Sequence, residues 1–193
     1  MTVMGFVRHG ITEWNIENRA QGQTDIPLNE TGKAQARALA ARLQNEEWDM
    51  IYSSDLSRAR ETAEMIAAAT GLEIHLDERL REIHCGLIEG TTEEDRMRKW
   101  GEEWDTFELG IESDEALIRR GVSVVNDICD QHPHERILIV SHGAWIGKLL
   151  PVLIPHTDTR EHLHNTSITR ISKGEARWEC ELYNCAKHLE EAR

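Results

Sequence analysis

The sequence predicts an α/β fold, a three-layer α/β/α sandwich around a mostly parallel sheet with an antiparallel edge strand. Short apolar runs at residues 2–7, 49–53 and 136–140 have the composition of buried strands. Between these runs, apolar residues recur at helical spacing. Strands that alternate with helices build parallel sheets covered by helices on both faces.

Three helices are predicted from apolar residues that recur every three or four positions. They cover residues 36–43, 56–67 and 117–128. A Ser-Asp-Glu segment at 113–115 precedes the third helix and supplies a cap and first-turn acidic residues. This helix should lead the chain into the strand at 136–140.

Near the C-terminus, two strand-like runs flank a short turn. Residues 167–172 and 176–182 lie on either side of Lys173-Gly174-Glu175, which has the length of a hairpin turn and contains glycine. We expect two strands there, antiparallel to each other, that finish one side of the sheet.

One acidic segment has no strand directly after it. Residues 92–108 carry four large apolar residues at helical spacing. We predict a helical cap, inserted at about residues 90–110 over one end of the sheet. Packing into the core is favoured for the apolar stripe, and a wall that selects the ligand is the alternative. The stripe consists of Met97, Trp100, Trp104 and Phe107.

Length and charge limit the class of protein. The 193 residues predict one domain, 1–193, and the net charge of −13 disfavours nucleic acids and membrane surfaces, which are polyanions. A homodimer is compatible with the sequence. No secretory signal precedes Arg8, and no CxxC pair occurs, so a cytoplasmic protein with reduced thiols is expected. The cysteines are Cys85, Cys129, Cys180 and Cys185.

The strongest local signal follows the first predicted strand, where Arg8, His9 and Gly10 stand. Ligand sites in open α/β sheets form outside the carboxyl ends of the strands. A guanidinium group can bind two phosphate oxygens, and an imidazole can act as a nucleophile near neutral pH. Alone, this tripeptide fits a surface turn equally well.

The second and third predicted strands are also followed by residues that can bind phosphate. Arg58 falls in the first turn of the helix after the second strand, where a helix N-terminus attracts anions. His142 and Gly143 follow the third strand. Two histidines and two arginines should therefore converge on one pocket that suits a phosphate group.

Four motifs in this order and spacing resemble the histidine phosphatase superfamily, which has the phosphoglycerate mutase-like fold. They are RHG at 8–10, SSDLSRARETA at 53–63, LREIHCGLIEG at 80–90 and VSHG at 140–143. The resemblance spans about residues 3 to 170. Its length and the number of its motifs make it specific.

The resemblance implies a role for each matching position. His9 would be the nucleophile that becomes phosphohistidine, and Arg8, Arg58 and His142 would hold the oxygens of the transferring phosphoryl group. Glu82 would protonate the leaving oxygen and then deprotonate the attacking water. Further positions that would line the phosphate or substrate pocket are Asn15, Gln21, Gly22 and Gly143.

The resemblance favours a phosphatase that hydrolyses a small-molecule phosphate ester, with no cofactor. The alternative is a 2,3-bisphosphoglycerate-dependent phosphoglycerate mutase. Such mutases tend to be longer, and they usually have a different sequence at the positions that correspond to residues 83–86. A non-catalytic module that binds phospho-ligands is disfavoured, because it would not need Glu82. Ile11 and Ile88 depart from common family patterns and leave the substrate open between sugar and carboxylic-acid phosphates.

A metal site is the alternative for one histidine cluster. His156, His162 and His164 include an HxH spacing that metal sites also use. No cysteine joins the cluster, and the resemblance gives the pocket another role. We therefore expect no metal.

Overall fold

The computed structural model describes residues 1–174 and 177–190 and confirms the α/β fold. Its six strands form one mixed sheet in the order β3-β2-β4-β1-β5-β6. Neighbours from β3 to β1 run parallel, while β5 runs antiparallel to both β1 and β6. The strands are β1 (Val3–Arg8), β2 (Met50–Ser53), β3 (Ile74–Leu76), β4 (Arg136–Ser141), β5 (Ile168–Lys173) and β6 (Trp178–Cys185).

Helices cover both faces of the sheet, as the three-layer prediction requires. Helices α2 and α3 bury their apolar faces on one side, and α5 and α6 bury theirs on the other. Side chains of β1 alternate between the two layers, with Phe6 toward α5 and α6 and Val7 toward α2 and α3. The helices are α1 (Glu13–Ile16), α2 (Glu30–Leu43), α3 (Ser57–Thr70), α4 (Glu93–Trp100), α5 (Asp114–Gln131) and α6 (Gly143–Leu153).

The sequence predictions locate most of these elements. The C-terminal pair β5 and β6 is antiparallel as expected, but the reversed strand β5 lies between β1 and β6 rather than at the outer edge. Glu175 of the predicted turn and Ala176, where the last strand was predicted to start, lie outside the described residues. Among the described helices, none is long and apolar enough to cross a membrane.

The parallel strands bring the polar strand ends together. In the β1–β4 ladder Arg8 lies opposite Ser141, and the His9 N–H donates to the Ser141 carbonyl at 3.0 Å. On the other side of β4, Ser54 N–H donates to Val140 O at 3.0 Å. The residues after β1, β2 and β4 therefore lie side by side at one edge of the sheet.

The segment predicted as a cap contains α4 and a 3₁₀ turn at Trp104–Thr106. The expectation that its apolar stripe packs into the core is wrong. Met97 and Phe107 are 44% and 53% exposed, and the stripe joins neither of the two apolar clusters beside the sheet. Instead, Arg96 and Lys99 lie over the rings of Trp104 and Trp100. The acidic residues that dominate this segment keep it on the surface.

Candidate active site

A cavity of about 200 Å³ lies at the carboxyl edge of the parallel strands. We call it the inner cavity. It gathers most residues predicted from the sequence, and the imidazole of His142 packs against that of His9 with ring centroids 5.2 Å apart. Gly143 opens helix α6 beside them. The predicted residues that line it are Arg8, His9, Asn15, Gln21, Gly22, Arg58 and Glu82.

His9 presents a neutral imidazole with one nitrogen occupied. Its Nδ1 lies 2.6 Å from the carbonyl oxygen of Gly10, and because a carbonyl only accepts, Nδ1 must carry the proton. The pKa of His9 is well below the usual histidine value, first because the ring is buried and then because Arg58 and Arg8 are close. Nε2 therefore keeps its lone pair, the state that a nucleophile needs.

Two buried arginines supply positive charge to the same cavity. Arg8 donates to His162 Nε2 at 3.1 Å and to the Leu163 carbonyl. Arg58 donates to the carbonyls of Gly22 at 2.7 Å and Thr24 at 2.9 Å.

Burial lowers the pKa of both arginines, although guanidinium groups stay charged in proteins. Within the described part of the chain, Nε of Arg8 and Nε of Arg58 are buried without a hydrogen-bond partner. Buried donors that lack partners are rare in proteins and call for an explanation. A bound anion in the inner cavity would supply one.

His142 is a second buried histidine beside His9. Its Nε2 lies 2.8 Å from the Ser54 hydroxyl, and its Nδ1 is buried without a partner among the described residues. Burial lowers its pKa well below the usual value, and Arg58 and His9 lower it further. A neutral ring here can donate or accept one further hydrogen bond.

The carboxylate of Glu82 is fixed at the start of α6. It accepts hydrogen bonds from the backbone N–H groups of Ala144 at 3.0 Å, Trp145 at 2.8 Å and Ile83 at 3.0 Å. Helix N-termini hold carboxylates in this way. Glu82 lines the inner cavity together with Arg8 and Arg58. A proton donor or acceptor therefore stands at the cavity that holds His9.

Two glycines of the site stand where a side chain would collide with a neighbour. Gly22 has φ +52°, and a Cβ there would lie 2.1 Å from Oε1 of Glu89. A Cβ on Gly143 would lie 3.2 Å from Nε of Arg8. Larger residues at these two positions would disturb the arginine side chains or the loop that binds them.

Asn15 and Gln21 add neutral groups to the cavity wall. Oδ1 of Asn15 accepts from the backbone N–H of Thr12 at 3.0 Å and from its hydroxyl at 3.1 Å. The amide NH₂ of Asn15 is therefore the end left for a ligand. Oε1 of Gln21 is buried and has no partner within the described residues.

Several site residues were not predicted from the sequence. Asn165 donates to the His9 carbonyl at 3.0 Å, and the Thr166 N–H donates to the Arg8 carbonyl at 2.9 Å. His162, considered above only for a metal site, contacts Arg8 instead. Over residues 1–174 and 177–190, no group of three His, Cys, Asp or Glu side chains could hold a metal ion.

A second cavity of about 390 Å³ continues outward from the first and shares Arg8, Asn15 and Arg19 with it. We call it the outer cavity. Arg96 of α4 reaches it from the cap segment. Its lining contains three arginines and no aspartate or glutamate: Arg8, Ile11, Trp14, Asn15, Asn18, Arg19, Ala20, Arg96, His162 and Asn165.

The fold and this constellation define an enzyme class that handles phosphate esters with a histidine. The chain belongs to the histidine phosphatase superfamily (branch 1), whose family model matches residues 4–186. The resemblance seen in the sequence is confirmed, and so is the expected class of phosphomonoesterase.

Relatives with different names share most of this chain. It is 40% identical over 185 residues to a probable phosphoglycerate mutase GpmB of Photorhabdus laumondii, covering 89% of this chain and 85% of that protein. The structure of Bacillus stearothermophilus YhfR matches with TM-score 0.90 and 31% identity, over 98% and 100% of the two chains. A phosphoserine phosphatase from Entamoeba histolytica, solved with 3-phosphoglyceric acid, matches with TM-score 0.83 and 34% identity, again over 98% and 100%.

Proposed function

We propose that this protein hydrolyses small phosphate monoesters through a phosphohistidine formed on Nε2 of His9. The observation that carries the proposal is the state of His9, a buried neutral imidazole whose Nδ1 is engaged by Gly10 and whose cavity also holds two arginines and a carboxyl group. Nucleophile, charge stabilisation and proton donor then stand in one place.

The reaction would run in two steps. Nε2 of His9 attacks phosphorus, the P–O bond to the alcohol breaks, and the leaving oxygen takes a proton from Glu82, which enters the cycle as the neutral acid. In the second step Glu82 removes a proton from water, whose oxygen attacks phosphorus as the N–P bond breaks. Inorganic phosphate leaves, and His9 and Glu82 return to their first states. Arg8 and Arg58 would neutralise the charge on the phosphoryl oxygens throughout.

The outer cavity supports a substrate that carries a second acidic group. Arg96 forms no ion pair with any described carboxylate, and its Nε is buried without a hydrogen-bond partner. Its guanidinium lies 4.5 Å from the centroid of the Trp104 ring, which holds it in place. An unpaired cation at the mouth of a phosphate site favours an ester with a carboxylate or a second phosphate. The relative solved with 3-phosphoglyceric acid agrees with this class.

A phosphoglycerate mutase is the second candidate, because the Photorhabdus relative has that name. The two reactions share the first step and differ in whether water or a bound product accepts the phosphoryl group. We would measure phosphate release from a panel of phosphate monoesters, and isomerisation of 3-phosphoglycerate with and without 2,3-bisphosphoglycerate. Rapid phosphate release without isomerisation supports the phosphatase. Isomerisation that depends on 2,3-bisphosphoglycerate, with little release, replaces it by the mutase.

A further inference from the structure

The proposed acid Glu82 stands on a stretch of irregular backbone. Residues 81–85 join two 3₁₀ turns, Glu78–Leu80 and Gly86–Ile88, and belong to none of the described helices or strands. In a helix or strand, backbone carbonyls accept hydrogen bonds from backbone N–H groups in a regular pattern. That pattern is absent from an irregular segment, so its carbonyls need other hydrogen-bond donors. The partners of these carbonyls therefore decide where the Glu82 backbone lies.

Arg120 on helix α5 donates to two of these carbonyls and to that of Arg79 just before them. Its Nη1 donates to the carbonyls of Arg79 at 2.8 Å and Arg81 at 2.6 Å, and its Nη2 donates to the carbonyl of Glu82 at 2.9 Å. The remaining N–H groups bind the carboxylate of Glu112 at 2.8 and 2.9 Å. All five donors of the guanidinium are used. Three of them hold backbone within three residues of the acid.

Glu112 and Gln23 also bind the backbone of this segment. Glu112, which orients Arg120, also accepts from the His84 N–H at 3.1 Å and donates its own N–H to the His84 carbonyl at 2.8 Å. Gln23 also donates to the Glu82 carbonyl, at 3.1 Å. Arg120 itself lies in the wall of a separate cavity, with Gln23, His84 and Glu112, and does not line the inner cavity.

We propose that Arg120 is a positioning residue for the acid of the reaction: it fixes the backbone of Glu82 so that the carboxyl group meets the leaving oxygen. This inference rests on the proposed function, in which Glu82 is the proton donor. The carboxylate of Glu82 is anchored at α6 and its carbonyl at α5. Both anchors are needed to set one side-chain conformation, and shifts near 1 Å can cost about a hundredfold in rate.

The test compares esters that differ in their need for an acid. An alkyl phosphate has a poor leaving group and needs protonation, whereas p-nitrophenyl phosphate does not. We would measure kcat/KM on both for wild type, Glu82→Gln, Arg120→Lys and the double variant. Lysine keeps the charge but cannot make five hydrogen bonds in a fixed plane. Arg119→Lys, at an exposed position next to it on α5, is the matched control.

We expect Arg120→Lys to lower kcat/KM for the alkyl ester about ten- to a hundredfold and for the aryl ester by less than about threefold. In the double variant the alkyl ester should be no slower than with Glu82→Gln alone, because both changes remove the same proton transfer. The control should behave as wild type. If Arg120→Lys does not fold, as judged by circular dichroism, Glu112→Gln takes its place and should show the same pattern.

Two contrary results have different meanings. Equal slowing of both esters by Arg120→Lys, while Glu82→Gln slows mainly the alkyl ester, would overturn the positioning role and leave the proposed function standing. Equal slowing of both esters by Glu82→Gln would remove Glu82 as the acid, and the role of Arg120 would fall with that part of the proposed function.

Discussion

The Nδ1 atom of His9 donates a hydrogen bond of 2.6 Å to the carbonyl oxygen of Gly10, the next residue in the chain. This contact needs no ligand, so the ring of the proposed nucleophile is oriented before a substrate arrives. The same contact directs the lone pair to Nε2, the only other ring nitrogen. The lowered pKa keeps His9 neutral beside two arginines, as the proposed attack on phosphorus requires.

Replacing His9 by alanine should abolish turnover and leave the fold intact. Loss of a nucleophile in other enzymes costs factors on the order of 10⁶ in kcat, so we expect no measurable phosphate release. Wild type quenched during turnover of a ³²P-labelled ester should carry an acid-labile label, and His9→Ala should carry none. His156→Ala, at an exposed histidine, is the control. Labelling of His9→Ala at wild-type level would place the phosphoryl group on another residue.

The buried histidines should make the fold less stable in acid. The pKa values of His9 and His142 are lowered in the folded protein, so between the usual value near 6.5 and their folded values only the unfolded chain binds these protons. The two neutral histidines therefore do not lower the stability of the fold above about pH 6.5. As the pH falls from 6.5 toward their folded pKa values, the free energy of unfolding decreases.

Urea denaturation at pH 7.5 and pH 5.5 tests this sign. The free energy of unfolding should fall at the lower pH by up to about 1.4 kcal/mol for each histidine. His9→Asn removes one of the two groups and should lose less stability between these pH values than wild type. An equal loss in both proteins would mean that His9 does not contribute to the pH dependence.

The edge that carries the site was predictable because each central strand ends in polar residues. Arg8 and His142 stand at strand ends in the sequence, and parallel pairing brings those ends together. Asn165 and His162 lie more than 150 residues from their partners His9 and Arg8, and no local pattern reports such contacts. Strand β3 has only three residues, too few for a period of two to stand out.

Arg96 should select esters that carry a carboxylate. O-phosphoserine and O-phosphoethanolamine differ by that one group, so their ratio of kcat/KM isolates it. We expect Arg96→Ala to lower kcat/KM for O-phosphoserine about tenfold, the value of one hydrogen bond to a charged group, and to leave O-phosphoethanolamine nearly unchanged. Arg98→Ala is the control, since Arg98 lies on the same helix and is paired with Glu94. Equal changes in kcat/KM on both substrates would show that Arg96 affects the structure of the cap segment without binding the carboxylate of the substrate.

Alanine variants of Gly22 and Gly71 distinguish the effect of backbone strain from damage to the candidate site. Both have positive φ, +52° and +76°, where an alanine costs about 1 kcal/mol of stability or more. A Cβ on Gly71 would meet nothing within 4 Å. Gly22 lies in the loop whose carbonyls bind Arg58, and a Cβ there would collide with Glu89. We therefore expect both alanine variants to lower the urea midpoint and only Gly22→Ala to lower kcat. Unchanged kcat in a folded Gly22→Ala protein would mean that this loop does not position Arg58 for catalysis.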